Sequence, residues 1–111
     1  MSNLRVDTEF TGEEGVILRV TGDLDLATHA RLEAPLQTLQ MDGRPNIVLD
    51  LSEVGFIDST GLRVLSGAEL RARLRGGSVL IRGASDQALD LFKLTGLDEA
   101  LIIEPRFGTA S

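Results

Sequence analysis

The sequence predicts an α/β fold: a mixed, largely parallel β-sheet with an N-terminal antiparallel hairpin strand and covering helices. Three observations carry this expectation. Short runs centred on Val, Ile and Leu recur at residues 16–20, 47–51, 78–82 and 101–103. Segments with helical spacing and helix-end signals separate them. An alternating segment precedes the series and is joined to its first run by a turn, which adds an antiparallel edge.

Taken in order, Arg5 to Phe10 alternates weakly, and Thr11-Gly12-Glu13-Glu14-Gly15 is a turn by composition. Val16-Ile17-Leu18-Arg19-Val20 completes the hairpin, and Gly22-Asp23-Leu24-Asp25-Leu26 leaves it. Thr28 is placed to cap a helix carrying Leu32, Leu36 and Leu39 at spacings of four and three. Pro35 interrupts that pattern, because it removes one helical hydrogen bond and clashes with the previous turn. A kink or a later start is therefore expected. Asn46-Ile47-Val48-Leu49-Asp50-Leu51 is the central strand, and a second helix runs from Ser59 to Arg75 and stops at Gly76-Gly77. Ser78 to Arg82 is the next strand. Ser85 caps a third helix that turns Leu89 and Phe92 inward and ends at Gly96, and Leu101-Ile102-Ile103 is the last strand.

The 111 residues fit one domain, with an ordered core at about 4–104 and a frayed tail at 105–111. The hydrophobic share of 42% allows a packed core, built mainly from Leu, Val, Ile and Ala because the only aromatics are four Phe. A net charge of −6 argues against nucleic acid and against an anionic membrane surface, since both need a basic face. With no cysteine there is no disulfide, thiolate nucleophile or thiolate metal site. The N-terminus lacks the apolar stretch of a signal peptide and no apolar run is long enough to span a bilayer, so the expected compartment is the cytoplasm.

The most informative stretch is Ile57-Asp58-Ser59-Thr60-Gly61-Leu62. It joins a buried-type strand to a helix, the place where α/β folds bind ligands and where free N–H groups gather. A serine at the first helical position keeps its hydroxyl outside the hydrogen-bonded cylinder. Gly61 removes a side chain beside it and permits close approach, of a partner or of local backbone. A kinase needs a protruding hydroxyl with open access, so Ser59 is a candidate phosphoacceptor. Thr60 is the weaker one, because its β-branch crowds the hydroxyl. Chemistry alone leaves a second reading open, in which Asp58 or Ser59 is simply a helix cap.

These residues carry a resemblance. Gly22-Asp23-Leu24-Asp25, Val48-Leu49-Asp50-Leu51-Ser52 with Phe56-Ile57-Asp58-Ser59-Thr60-Gly61-Leu62, Gly76-Gly77 and Leu94-Thr95-Gly96-Leu97 resemble, in order, the diagnostic segments of the STAS domain family. Within it they resemble the stand-alone bacterial anti-sigma-factor antagonists; Asp23 stands where the family more often has Glu. The resemblance implies a partner that is both anti-sigma factor and serine kinase and that itself binds ATP. It implies that the unphosphorylated antagonist binds this partner and frees the sigma factor. Phosphorylation of the residue matching Ser59 ends the binding, and a serine phosphatase restores it. By the same resemblance Asp23 and Asp25 lie near the Ser59 turn, where they meet basic groups of the partner or remain solvated loop acids.

Partner contact is thus expected at Asp23, Asp25, Asp58, Thr60, Gly61 and Leu62. No cofactor, metal or catalytic residue is expected in the chain itself. His29, the lone histidine, is read as a surface residue, and Arg71-Ala72-Arg73-Leu74-Arg75 as a solvated helix end suited to the negative end of the helix dipole. One alternative keeps the fold and drops the switch, making the chain an unmodified accessory subunit of a transporter or signalling assembly. Another makes it a small phosphotransferase using Ser59. The single histidine and the lack of a Gly-rich nucleotide loop count against that.

Overall fold

The computed structural model describes residues 3–12 and 15–105. Glu13 and Glu14 of the predicted turn, residues 106–111 of the predicted tail, and Met1 and Ser2 lie outside the described residues. The chain runs β1 (Leu4–Thr11), β2 (Gly15–Leu24), α1 (His29–Met41), β3 (Asn46–Ile57), α2 (Ser59–Leu74), β4 (Ser78–Arg82), α3 (Asp86–Thr95), α4 (Leu97–Ala100) and β5 (Ile102–Ile103).

The sheet order is β1-β2-β3-β4-β5, with β1 antiparallel to β2 and every later pair parallel. Because the strands lie in chain order, right-handed crossovers put the helices on one face. One-sided burial agrees with this. Val16, Leu18 and Val20 of β2 are buried and Arg19 between them is exposed. These side chains meet Leu32 and Leu36 of α1, Leu65 and Ala68 of α2, and Phe92 of α3 in one hydrophobic core. Removing such side chains from water is the main driving force for the fold.

On the opposite face the register sets Asp7, Arg19, Asp50 and Arg82 side by side across four strands, alternating in sign. Arg19 hydrogen-bonds Glu9 and lies 4.0 Å from Asp50, while Arg82 lies 3.2 Å from Glu104. The Glu9 hydrogen bond and its charge hold the Arg19 guanidinium above its ordinary pKa. Such exposed pairs contribute about 0–1 kcal/mol each, so they mark register more than they supply stability. Ile17, Val48, Leu80 and Ile102 form an apolar row beside them.

Three local expectations change. First, α1 starts at His29 and stays helical through Pro35 to Met41, so the later start is not found. Leu32 and Leu36, buried on either side of the proline, anchor the helix across the missing bond. Second, Thr28 sits at the N-cap of α1 but its side chain makes no cap bond. It is 2% exposed, and its hydroxyl donates to the Asp23 carbonyl at 2.6 Å and accepts from the Asp25 N–H at 3.0 Å. Asp25 takes over the start of the helix: its carbonyl accepts from the N–H of Thr28 and of His29, at 3.1 and 2.9 Å. Third, the arginine-rich end of α2 is not uniformly solvated. Arg71 is half-buried, and its Nε donates to Gln40 Oε1 at 2.8 Å. Beyond it the helix closes as expected: Gly77 N–H reaches the Ala72 carbonyl at 2.8 Å and Gly76, at φ 76°, reaches Arg73 at 3.1 Å.

Gln40 is 1% exposed, and its Nε2 donates to the Ala68 carbonyl at 2.8 Å, so one amide ties α1 to α2 at both of its ends. Substituting Gln40→Ala leaves a hole and strands Arg71 in a half-buried setting. The expected loss is about 1–3 kcal/mol, read as a lower urea midpoint with an unchanged slope. An unchanged midpoint would refute the tie.

Candidate functional site

The site is built where β3 outruns its neighbour. β4 pairs with β3 only as far as Asp50–Arg82, whereas β3 continues to Ile57. On its other side β2 follows it to Leu24–Ile57, with register shifts between Arg19 and Thr21 and between Gly22 and Asp23. Each shift inserts an extra residue into β3, and bulges of this kind re-aim side chains at the ends of strands. Burial along β3 accordingly changes from every second residue (Ile47, Leu49, Leu51) to every third (Val54, Ile57). The missing β4 neighbour is replaced by a side chain: Gln87 of α3 accepts from the Ile57 N–H at 3.1 Å and donates to the Ile57 carbonyl at 2.8 Å.

Asp58 follows at once. Its backbone is extended, with φ −104° and ψ −173°, and its carboxylate caps α2 by accepting from the Gly61 N–H at 3.0 Å. The second carboxylate oxygen accepts from the Leu26 N–H at 3.3 Å, and the Asp58 N–H donates to the Leu24 carbonyl at 3.2 Å. One residue thus fastens the end of β3, the start of α2 and the loop after β2. Gly61 is required by the same fit. A Cβ there would lie 2.6 Å from the Leu24 carbonyl oxygen and 2.9 Å from side-chain atoms of Ile57 and Leu24. Close approach of local backbone, one of the two expected roles for this glycine, is the geometry found.

Ser59 opens α2 and is exposed. Among the described residues no hydrogen bond claims its hydroxyl. It lines a cavity of about 270 Å³ together with Leu62, Arg63, Ser66, Thr95 and Leu97, between the first turns of α2 and the α3–α4 junction. Thr60 is half-buried, and Leu62 is buried at the cavity wall.

Asp23 and Asp25 are brought to the same end, as Asp23 pairs with Phe56 in the β2–β3 register. Asp25 turns one carboxylate oxygen back into its own loop, where it accepts from the N–H of Ala27 at 3.0 Å and of Thr28 at 3.2 Å. It builds the loop, a role that the sequence reading did not weigh. His29 lies at the far side of that loop, 3.7 Å from Glu33. Sequence reasoning also missed Gln87, for which a glutamine in the first turn of a helix gives no signal. It missed three exposed apolar side chains near the site as well: Leu26, Phe56 and Leu94.

Fold and site together define a small α/β module that presents an exposed hydroxyl, on an acid-held turn, at the C-terminal end of a parallel strand. The chain belongs to the STAS domain family: the family model described as Mlab, STAS domain, matches residues 6–104. It is similar to the anti-sigma-B factor antagonist of Staphylococcus aureus, with 32% identity over 99 residues that cover 89% of this chain and 91% of the relative. Among solved structures, an anti-sigma factor antagonist from Mycobacterium paratuberculosis superposes with a TM-score of 0.80 at 27% identity, covering 97% of this chain and 91% of that one. The Bacillus cell fate determinant SpoIIAA in its phosphorylated form shares the fold, with a TM-score of 0.74 at 20% identity and coverage of 92% and 93%. Among the described residues no helix is long and apolar enough to cross a membrane.

Two substitutions test how the turn is held. Gln87→Ala leaves both backbone groups of Ile57 without their partner. It should cost about 1–2 kcal/mol and accelerate hydrogen exchange at the Ile57 amide well beyond that at Leu49; equal exchange in variant and wild type would refute the role. Gly61→Ala forces a methyl against the Leu24 carbonyl, and a destabilisation of about 1–3 kcal/mol is expected in urea unfolding; a midpoint equal to that of wild type would refute the close fit.

Proposed function

We propose that the protein is an anti-sigma-factor antagonist gated by phosphorylation of Ser59. Its unphosphorylated form binds an anti-sigma factor that is also a serine kinase and so releases the sigma factor. Phosphorylation ends the binding, and a serine phosphatase restores it. ATP enters only on the kinase, and the protein works by contact rather than by catalysis. The observation that carries this reading is the exposed, unclaimed Ser59 hydroxyl at the mouth of α2, directly after a carboxylate whose oxygens are both engaged elsewhere. The names of the relatives support the antagonist class. SpoIIAA, which shares the fold, is a protein of that class known in a phosphorylated form.

The physics favours a switch of charge. A phosphate adds about −1.5 to −2 charges and three acceptor oxygens. At the N-terminus of α2 it meets the positive end of the helix dipole, a stabilisation of about 0.3–1 kcal/mol, while Asp58 repels it. The two effects offset each other, so the free domain stays folded. A partner docked over Ser59 must bury the added charge, and an unpaired buried charge costs roughly 3–5 kcal/mol, more than a hundredfold in affinity. Asp23, Asp58, Thr60 and the exposed Leu26 and Phe56 lie around the same turn and form the proposed contact, with Gly61 and Leu62 shaping it from beneath.

The kinase partner, incubated with this protein and ATP, should add one phosphate that tandem mass spectrometry places at Ser59. Ser59→Ala should bind that partner like wild type and resist release by ATP. Ser59→Asp should bind at least tenfold more weakly in calorimetric titration. Equal affinity of the three proteins, with no phosphate gained, would refute the switch and leave the unmodified accessory subunit as the better reading.

A further inference from the structure

Arg63 is a residue to which the switch as described gives no part. It lies four positions after Ser59 on α2, and both line the same cavity of about 270 Å³. It is the one charged side chain among the lining residues. Among the described residues it is exposed and takes part in no hydrogen bond or ion pair. Other arginines of the helix are engaged: Arg71 with Gln40 and Arg73 with Glu69. The nearest acid in sequence, Asp58, directs its two carboxylate oxygens to the backbone N–H groups of Leu26 and Gly61 and forms no ion pair with Arg63. Ser66 places a further hydroxyl on the same wall.

We propose that Arg63 is the cation that receives the phosphate of phosphorylated Ser59, within this cavity. The inference rests on the reading of Ser59 as the modified residue. Residues i and i+4 are neighbours on one helix face, and an anion N-terminal to a cation is the favourable order. A guanidinium offers two parallel N–H donors to two phosphate oxygens. The modified residue therefore sits on the domain's own surface as an internal ion pair.

This redistributes the switch: Arg63 pairs part of the phosphate charge within the domain, so the cost of an unpaired buried charge falls and the loss of surface features takes over part of its role. Before modification the surface presents a free cation beside an open, largely apolar hollow. After it the hollow holds phosphate and guanidinium together, so a partner loses a basic contact and a cavity while it meets residual negative charge. Phosphorylation would thus change three features of the docking surface through one bond.

The test installs phosphoserine at position 59 during synthesis, by an expanded genetic code, so that it is independent of any kinase. The second ionisation of the phosphate, near pH 6 in a free phosphoserine, is then followed by 31P NMR across a pH titration. A nearby cation favours the dianion and lowers the midpoint, so Arg63→Gln should raise it, by about 0.2–0.4 units for an exposed helical pair. Arg63→Lys should fall between Arg63→Gln and wild type. Arg75→Gln, an exposed residue at the far end of α2, should leave the midpoint unchanged. Equal midpoints for wild type and Arg63→Gln, no recovery with lysine, or an equal rise in Arg75→Gln would overturn the assignment. Failure of a kinase to modify Ser59 would instead remove the proposed switch, while the titration would still decide where an installed phosphate binds.

Discussion

The Asp58 carboxylate is the constraint on which the rest of this end of the molecule depends. Its two oxygens reach opposite ways, one to the Gly61 N–H of its own helix and one to the Leu26 N–H of the loop after β2. A side chain serving only as a cap would fix α2 and nothing else, at about 1 kcal/mol. Here the bonds also fix the distance between two segments 32 residues apart in the chain. Gly61 is the steric counterpart of that distance, because the loop and helix approach to where a methyl group cannot fit. The capping and functional readings of Asp58 are therefore not rivals. The cap is what holds the adjacent hydroxyl outward.

A second constraint supports the first. A strand that runs beyond its neighbour leaves backbone groups without partners, and buried orphans of that kind are costly. Gln87 supplies both a donor and an acceptor to Ile57, as a paired strand would. The overhang delivers Asp58 and Ser59 clear of β4 without leaving the ladder unsatisfied. α3 thereby becomes part of the scaffold of the turn, and its C-terminal end, with Thr95 beside Leu97 of α4, walls the cavity at Ser59.

The parts legible in the sequence are those written in local periodicity and end chemistry. The succession of strands and helices along the chain, the Gly76-Gly77 and Gly96 stops and the Ser85 cap all follow from patterns a few residues long, and the structure has them. The extent of β3 was not legible, because its two bulges break the alternation that marks a strand; the pattern ends at Leu51 and the strand does not. Thr28 has the composition of a cap, but Asp25 makes the turn sooner and claims the donors of the helix start. Gln40 and Gln87 read as ordinary polar residues, since their value lies in partners found only after folding. Local signals thus placed Ser59 and Asp58, whereas the residues that hold them belong to long-range contacts.

The division of labour limits how a modification can act here. The Ser59 backbone is held from Asp58 on one side and from Gly61 on the other, and both holds lie beneath the surface that the hydroxyl faces. An effect of about 1 kcal/mol or less on an exposed side chain is too small to undo a capped helix packed through Val64, Leu65 and Ala68, each almost wholly buried. A phosphate at Ser59 would have only the surface to work with. On the proposed reading, a phosphate at Ser59 would alter charge, occupancy of the hollow and the partnering of Arg63. A partner docked there would meet those changes as a loss of complementarity, and rigidity would then be an advantage, since a surface that yielded could adapt to the added anion and keep the complex. In the proposed switch, the stiffness of the turn would therefore take part.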